Sequence, residues 1–299
     1  MTHHLDKLVV IGVGLIGGSF ALALRQGGHV SHITGIGRSR QNLQRAIELG
    51  IIDEQTDDFS HALQGADFVL LAAPVGQNVG ILQRIAPHLE EHTIVSDVGS
   101  TKQNVIQAAR SHLHNHIPQF IPAHPIAGTE FSGADAADAT LFQGKPVILT
   151  PIPENNANAN AIEQVASLWQ QCGAIVSHMT AAQHDQVLAT ISHLPHLLAF
   201  ALMNHIRATG GDQTTANLQL AGTSLKDMTR IAGSSPEMWR DICIDNREAL
   251  IEQIETYQYQ LTNLQDMLRR SDSESLERFF LQARDIHRKW LLTDRQPPE

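Results

Sequence analysis

The sequence predicts an α/β protein in which a doubly wound, mostly parallel sheet is followed by an all-helical domain. Up to about residue 178, short apolar runs alternate with helical patterns, as in chains whose parallel strands are buried on both faces. Beyond that point the patterns are long, amphipathic and helical, and no strand is evident among them. We therefore predict two domains, covering residues 1–178 and 179–299.

Each element is predicted from its own stretch of sequence. The first run, KLVVIGV, is continuously apolar, and SFALALRQG after it has helical spacing and ends at glycines. The predicted strands cover 7–13, 32–37, 66–75, 93–100, 119–126, 145–151 and 174–180. The predicted helices cover 19–27, 39–50, 76–89, 101–110, 160–173, 181–210, 238–271 and 273–292. The amphipathic faces of the last helices can pack within one chain or across a dimer, and we expect a homodimer through this all-α domain.

Composition excludes several function classes. The formal net charge is -10, so attraction to nucleic acid or to an anionic membrane surface is not expected. The chain has only two cysteines, Cys172 and Cys243, which are too few for a disulfide framework and favour a reducing compartment. No long apolar stretch near the N-terminus indicates a signal peptide, and no apolar run reaches the length of a membrane span. We expect a cytoplasmic protein.

A glycine-rich loop follows the first predicted strand. GVGLIGG places Gly12, Gly14 and Gly17 in a G-x-G-x-x-G pattern that opens a helix, the context in which this pattern binds a dinucleotide. The glycines allow a tight turn, a close approach to a pyrophosphate and close helix packing. The pattern predicts a Rossmann-like site, and a glycine-rich turn without ligand is the alternative. We expect the neighbouring residues Leu15, Ile16 and Pro74 to contribute to the cofactor site.

The stretch GIGRSR stands where such chains usually place an acid for the ribose of NAD. Gly37 at that position removes the hydrogen bond to the 2′-hydroxyl and also the repulsion of a 2′-phosphate. Arg38 and Arg40 offer charged planar donors and Ser39 offers a hydroxyl. This stretch predicts NADP as cofactor, with NAD as the alternative if the arginines form only a solvated turn.

A set of motifs occurs in order along the chain: VVIGVGLIGGS, DVGSTK, HPIAGTE, HLPH and LKDMTRIAGSSPEMWRDI. Together they resemble the prephenate/arogenate (cyclohexadienyl) dehydrogenase family in its monofunctional form, over roughly residues 7 to 265. The resemblance implies oxidative decarboxylation of a small-molecule substrate, prephenate and/or arogenate, in tyrosine biosynthesis. A hydride passes from the ring carbon that bears the hydroxyl to the nicotinamide, and carbon dioxide leaves the opposite ring carbon.

The catalytic candidates are His124 and Ser100. His124, in HPIAGTE, ends a predicted strand, and an imidazole can accept the hydroxyl proton as the hydride departs. The resemblance implies this base role for His124 and places Ser100, in DVGSTK, near the substrate hydroxyl. A structural histidine is the alternative for His124, and a cap of the helix that follows is the alternative for Ser100.

The substrate candidates include cations, because prephenate is a dianion and the chain is acidic. Lys226 and Arg230 are four residues apart, and the resemblance implies that Arg230 holds a carboxylate. An exposed charged face is the alternative. Glu130, in HPIAGTE, resembles an active-site acid, and a loop-stabilising ion pair is its alternative.

Two further substrate candidates come from the helical part. In HLPH the resemblance implies that His196 reaches the substrate; a metal shared with His193 is the rival, but no further ligands at suitable spacing accompany the pair, so we expect no metal. Trp239 resembles a residue that reaches the site of the partner subunit, and a core position is the alternative.

Two other functions were weighed. A β-hydroxyacid or 6-phosphogluconate-type dehydrogenase would share the architecture, but it would place an asparagine four residues after the helical lysine, where this chain has Arg230. A non-catalytic, NADP-sensing dimeric protein would need the glycine loop and the helical faces, but it would not need Ser100, His124 and Arg230 together.

Overall fold

The computed structural model describes residues 3–129 and 131–293, without the side chains of residues 157 and 293. The chain divides into two compact units, Met1–Ala249 and Leu250–Glu299. Each unit is described by itself.

A six-stranded parallel sheet forms the centre of the first unit. Its strand order is β3-β2-β1-β4-β5-β6, the order of dinucleotide-binding folds, as the alternation of apolar runs and helices predicted. The elements in chain order are β1 (Leu5–Ile11), α1 (Leu15–Gln26), β2 (Val30–Ile36), α2 (Arg40–Glu48), β3 (Glu54–Gln55), α3 (Phe59–Leu63), β4 (Phe68–Leu71), α4 (Asn78–Ile85), β5 (Ile94–Asp97), α5 (Gln103–His112) and β6 (Phe120–Ile121).

A second sheet of three strands was not predicted as separate. It consists of β7 (Ala123–Pro125), β8 (Pro146–Leu149) and β9 (Ile175–His178), with α6 (Ala159–Gln171) before the last strand. The predicted strand over 119–126 is divided at Pro122 between β6 and β7. Proline has no N–H to donate, so pairing in the first sheet ends there, while its carbonyl accepts a bond from Thr150 in the second.

The side chains of β1 show why its run is apolar throughout. Leu8 and Val10 belong to one buried cluster and Val9 and Ile11 to another, one on each face of the sheet. Successive side chains of a strand point to opposite faces, so a sheet covered on both sides needs apolar residues at every position.

Helices form the rest of the described chain. They are α7 (Ala181–Leu188), α8 (Leu194–Gly210), α9 (Thr214–Gln219), α10 (Thr223–Thr229), α11 (Pro236–Asp245), α12 (Arg247–Arg269) and α13 (Ser273–Thr293). The helix predicted over 181–210 contains a π-helical turn at Ala189–His193. Pro195 follows this turn and cannot donate a backbone hydrogen bond one turn back, which accounts for the irregularity.

The stretch Ala181–Gln219 corrects one expectation. By length and composition it is apolar enough to cross a membrane, with a mean hydropathy of 1.4 in its most apolar window, of which 28% is buried. The sequence pattern indicated no apolar run of transmembrane length, and this stretch meets that criterion by length and composition. Core helices of water-soluble proteins have the same length and composition, so this observation alone does not place the stretch in a membrane.

The second unit contains α12 from Leu250 onwards and the whole of α13. Apolar side chains remain exposed along both helices, among them Tyr259, Leu261, Phe280, Ile286 and Trp290. An exposed apolar surface of this kind is typical of a protein–protein contact.

Candidate active site

The glycine loop lies between β1 and the start of α1. Gly12 has φ +104, and a Cβ there would come within 2.6 Å of the backbone of Ala72 on the neighbouring strand. A Cβ at Gly17 would lie 2.3 Å from the carbonyl oxygen of Gly12, whereas nothing lies within 4 Å of one at Gly14. The first and third glycines are therefore required by packing and the second leaves open space. This cradle fits a dinucleotide pyrophosphate at the start of α1, beside the half-buried Leu15 and Ile16.

The end of β2 forms an exposed cleft of about 400 Å³. Its lining residues are Gly37, Arg38, Arg40, Leu43, Gln55, Thr56 and Asp57. The guanidinium of Arg40 lies 2.9 Å from the carboxylate of Asp57, and that of Arg38 lies 3.5 Å from Glu237. Ser39 caps α2 by accepting a bond from the backbone N–H of Asn42. The structure thus brings Arg38 and Arg40 together at one cleft, whereas Ser39 is not among its lining residues, and all three side chains already have a partner.

A chain of hydrogen bonds lies behind His124 on β7. Its Nδ1 is 2.8 Å from Nε2 of His184, and Nδ1 of His184 is 2.8 Å from Oδ1 of Asp185. All three side chains are buried. The Asp185 carboxylate also accepts from the backbone N–H groups of Lys102 and Gln103 at the start of α5.

The shifted pKa values indicate the charge states of Asp185, His184 and His124. Burial raises the pKa of Asp185, but hydrogen bonds from His184 and the two backbone groups outweigh it, so the pKa is lowered and the carboxylate is ionised. Burial lowers the pKa of His184. Burial also lowers the pKa of His124 well below its usual value, and the ammonium of Lys102 lowers it further, as would a proton on His184. Both imidazoles are therefore neutral at neutral pH.

The bonding order then fixes the position of each proton. The Asp185 carboxylate accepts only, so Nδ1 of His184 carries a proton and its Nε2 is an acceptor. Nδ1 of His124 must donate to that acceptor, which leaves the lone pair of His124 Nε2 available. A neutral imidazole with a free Nε2 lone pair can act as a general base.

A buried ion pair between Lys102 and Asp97 links the end of β5 to β7, the strand that carries His124. Nζ of Lys102 is 2.5 Å from Oδ2 of Asp97 at the end of β5 and 2.6 Å from the carbonyl oxygen of Ala123, next to His124. Removing either charge would leave the other buried and unpaired, which is strongly destabilising. This pair joins the turn that carries Ser100 to the strand that carries His124.

Ser100 is half-buried and does not cap α5. That helix begins at Gln103, and its first N–H groups are accepted by Asp185 instead. The alternative considered for Ser100, a helix cap, is therefore wrong. The backbone of Ser100 contributes to the pKa of His193, so the serine turn and that histidine are neighbours.

His196 and Trp239 form the second part of the site. Their rings stack with centroids 3.7 Å apart, and Trp239 is buried against Val75 and Ile242 of the same chain. The charge of Arg230 contributes to lowering the pKa of His196, after burial and against a bond to Ser192, which places the guanidinium near this stack. The structure thus groups His196, Trp239 and Arg230.

Pro74, the remaining candidate for the cofactor site, directly precedes the short helical turn that begins at Val75.

Two substrate candidates are less well defined. Lys226 and Arg230 were expected on one helical face, but α10 ends at Thr229 and Arg230 begins a 3₁₀ turn. Lys226 is exposed. Glu130 lies outside the described residues. Among the residues that the structure describes, no group of three or more histidine, cysteine or acidic side chains is arranged to hold a metal ion.

Comparison with known proteins decides the family. Residues 20–178 match the nucleotide-binding domain of prephenate dehydrogenase, and residues 180–282 match its dimerisation domain. The chain belongs to the prephenate dehydrogenase family. The cyclohexadienyl dehydrogenase of Zymomonas mobilis is 36% identical over 276 residues, which cover 92% of this chain and 93% of that protein. The prephenate dehydrogenase of Bacillus subtilis is 34% identical over 95% of this chain and 76% of that protein.

Solved members of the prephenate dehydrogenase family have the same fold. The A. aeolicus enzyme, in complex with hydroxyphenyl propionate and NAD+, superposes with a TM-score of 0.89 at 33% identity and covers 97% of this chain and 100% of that chain. The arogenate dehydrogenase of Synechocystis superposes with a TM-score of 0.78 at 30% identity, over 95% of this chain and 99% of that chain. The predicted family and fold class are confirmed.

Sequence reasoning missed the residues behind His124. His184 and Asp185 lie 60 residues or more from His124 along the chain, in no motif with it, and α7 brings them to β7. Lys102 lies within the motif DVGSTK, but its complete burial beside Asp97 follows only from the folded chain. The one available signal was adjacency: a histidine followed directly by an aspartate within a predicted helix.

Proposed function

We propose that this chain catalyses the oxidative decarboxylation of prephenate, and of arogenate if its side-chain amine is accepted, in tyrosine biosynthesis. The observation that carries the proposal is the hydrogen-bonded series from Asp185 through His184 to His124, because it leaves a neutral base with a free Nε2 lone pair in a chain that also has a dinucleotide cradle. Nothing in the relatives favours a β-hydroxyacid dehydrogenase or a non-catalytic sensor.

The reaction balances with one base and one hydride acceptor. His124 Nε2 takes the proton of the ring hydroxyl, and the bound nicotinamide supplies the acceptor for the hydride from the same carbon. The bond from the opposite ring carbon to its carboxylate breaks, its electron pair enters the ring, and carbon dioxide leaves. The oxygen that lost its proton takes it back from His124, which gives the phenol and restores the neutral base. Ser100, at the turn after β5, is proposed to hold the hydroxyl towards His124.

Positive charge is needed to hold the substrate dianion. Arg230 is proposed to bind the side-chain carboxylate, since its planar fork suits a carboxylate and its charge is felt at His196. His196, Trp239, Lys226 and Glu130 are proposed to complete the substrate site, and Trp239 would do so in its own chain through the stack with His196.

NADP is the proposed cofactor. Gly37 provides no acid for a ribose hydroxyl, and Arg38 and Arg40 line the exposed cleft beside it. Ser39, between the two arginines in the sequence, is proposed to contribute its hydroxyl. Asp57 opposes this choice, because its carboxylate lies in the same cleft and already pairs with Arg40. NAD is the alternative, and it is the cofactor in the A. aeolicus complex.

The helical part of the chain carries the proposal for the assembly of the protein. We propose a homodimer through the helical domain, supported by the match to a dimerisation domain and by the exposed apolar side chains of α12 and α13. We also propose residues 1–178 as the dinucleotide-binding domain and 179–299 as the helical substrate and dimerisation domain, in a cytoplasmic protein. A monomer at micromolar concentration in sedimentation would contradict the dimer.

A matrix of two substrates against two cofactors tests the function. Prephenate and arogenate are each assayed with NADP and NAD by the absorbance of the reduced nicotinamide, and kcat/KM is compared for the four pairs. We expect turnover with prephenate and a higher value with NADP than with NAD. Absence of reduction in all four pairs contradicts the enzymatic proposal, and a preference for NAD contradicts only the cofactor proposal.

A further inference from the structure

Asn42 lies in the first turn of α2 and is hydrogen-bonded to the glycine loop. Its side-chain nitrogen Nδ2 is 2.7 Å from the carbonyl oxygen of Val13, and its Oδ1 is 2.8 Å from the backbone nitrogen of Ala134. A carbonyl oxygen can only accept and a backbone N–H can only donate, so the amide fits in one orientation. The side chain therefore joins the glycine loop to the segment that follows the motif HPIAGTE.

Val13 is the residue between the first two glycines of the loop. The peptide group that joins it to Gly14 is held at both ends: its carbonyl oxygen accepts from Asn42, and its N–H donates to the carbonyl oxygen of Gly12 at 3.0 Å. The Val13 side chain is buried, but nothing lies within 4 Å of the place where a Cβ of Gly14 would be. Glycine also has unusual backbone freedom. The bond from Asn42 thus fixes the loop at a point that packing leaves open.

The orientation of this peptide group matters because α1 begins directly after it. The helix starts at Leu15, and no side chain caps its first turn. The first N–H groups of a helix have no intrahelical partner, and in dinucleotide-binding folds they face the pyrophosphate. Hydrogen bonds weaken steeply as their angle departs from linearity, so a shift of Gly14 would turn these donors away from the ligand.

We propose that Asn42 is a positioning residue that holds the glycine loop in the conformation that binds the pyrophosphate of the cofactor. The pyrophosphate is common to NAD and NADP, so Asn42 sets the affinity for both and does not choose between them. In this respect it differs from Arg38 and Arg40, which are proposed to meet the 2′-phosphate. The inference rests on the proposed function for the class of ligand, a nicotinamide dinucleotide.

A purely structural role of Asn42 would act through its other bond. Its Oδ1 holds the N–H of Ala134, and α2 holds the same segment a second time through Arg45, whose Nε lies 2.8 Å from Oδ1 of Asp135. Two substitutions separate the roles. Asn42→Asp keeps an oxygen for Ala134 but places a second oxygen against the carbonyl of Val13, whereas Asn42→Ala removes both bonds. The proposal predicts weaker cofactor binding in Asn42→Asp than in Asn42→Ala, and the structural role predicts the reverse order.

The test is calorimetric titration of the full-length protein with NAD and with NADP in the absence of substrate. We expect Asn42→Ala to raise both dissociation constants about fivefold, as for one lost hydrogen bond, and to leave their ratio unchanged. Asn42→Asp should raise the dissociation constant of NAD about 20-fold, because a carbonyl oxygen that faces a carboxylate is left unsatisfied. At saturating cofactor, Asn42→Ala should keep the kcat and the prephenate KM of the wild type, since only cofactor binding is affected.

The negative charge of Asn42→Asp also repels an anionic cofactor, so the comparison needs a control for charge. Gln41→Glu adds the same charge at an exposed position one residue earlier in α2. An exposed charge has a small effect, so this variant should bind NAD nearly as tightly as the wild type. Circular dichroism of each variant shows whether the fold is retained.

Several results would overturn the inference. They are an affinity for NAD in Asn42→Asp equal to or higher than that in Asn42→Ala, an equal loss in Gln41→Glu and Asn42→Asp, or a loss in Asn42→Ala that is confined to NADP. If Asn42→Asp does not fold, Asn42→Ala decides: an equal rise in both dissociation constants supports the inference, and unchanged constants overturn it. A wild type that binds both dinucleotides but reduces neither contradicts the proposed function and leaves the role of Asn42 standing.

Discussion

At the end of β7, His124 is buried and bonded to His184, whereas at the end of β2 Arg38 and Arg40 are exposed and each faces an exposed acid. The two regions serve one proposed reaction, since the first would take the proton and the second would select the cofactor. Their physical situations differ in every respect that sets the strength of an interaction: burial, number of partners and access of water and salt.

This difference in burial predicts how strongly a substitution in each region affects activity. We call the hydrogen-bonded series Asp185–His184–His124 the histidine relay. In this relay every partner fixes the proton of the next, so a single substitution alters the base itself. In the exposed cleft the ion pairs are weak and salt-sensitive, so substitutions there shift a preference by small factors and leave the chemistry intact. Catalysis should therefore be sensitive to one region and cofactor choice to the other.

Replacing His124 gives the largest expected effect. His124→Asn removes the base, and kcat should fall about 10³-fold, within the usual range for general base catalysis. Cofactor binding, measured by titration of the protein fluorescence, should change little because the glycine cradle is untouched. His88→Asn, at an exposed histidine, is the control. Near-normal turnover in His124→Asn would show that the relay does not provide the base.

Acidification should weaken the buried region first. Burial lowers the pKa of His193 in the folded protein to about 4, whereas its value in the unfolded chain is near 6.5. The neutral ring therefore makes its full contribution to the free energy of unfolding above about pH 6.5, and this contribution is lost as the pH falls towards 4. This residue alone should cost about 3 kcal/mol of the free energy of unfolding over that interval. Denaturant unfolding at several pH values measures the loss, with His193→Gln as the comparison. Equal pH dependence in both proteins would contradict the burial argument.

The two regions also differ in how much the sequence predicts. The glycine loop and the arginines of the cleft could be predicted because each follows a predicted strand, and the ends of parallel strands meet at one edge. His124 could be predicted from the motif HPIAGTE, but it lies on β7 of the second sheet, which pairs antiparallel with β8. His184 and Asp185 could not be predicted, because their roles depend on how helices from a distant part of the chain pack on β7. In the cleft, the arginines were predicted but Asp57 was not, since the short strand β3 before it gives no recognisable pattern.

Breaking the relay one step behind the base should have a smaller effect than removing the base. Asp185→Asn keeps the size of the side chain but removes the charge that fixes the proton on Nδ1 of His184, and kcat should fall about 10²-fold with a smaller change in KM. Asp245→Asn is the control, because it also accepts bonds from residues near the start of α5 but does not contact the histidines. If both variants lose the same activity, the relay acts only as a structural support.

The exposed cleft should give the smallest effect and the sharpest contrast. Asp57 lies 2.9 Å from Arg40, so a phosphate that binds this arginine must come close to the carboxylate. Two unit charges 4 Å apart in water repel by about 1 kcal/mol, so Asp57→Asn should raise the ratio of kcat/KM for NADP to that for NAD about fivefold, and less at high salt. Glu48→Gln removes a similar exposed partner, that of Arg45, outside the cleft and should leave the ratio unchanged. An unchanged ratio in Asp57→Asn would mean that the 2′-phosphate does not bind at this cleft, whichever cofactor the wild type prefers.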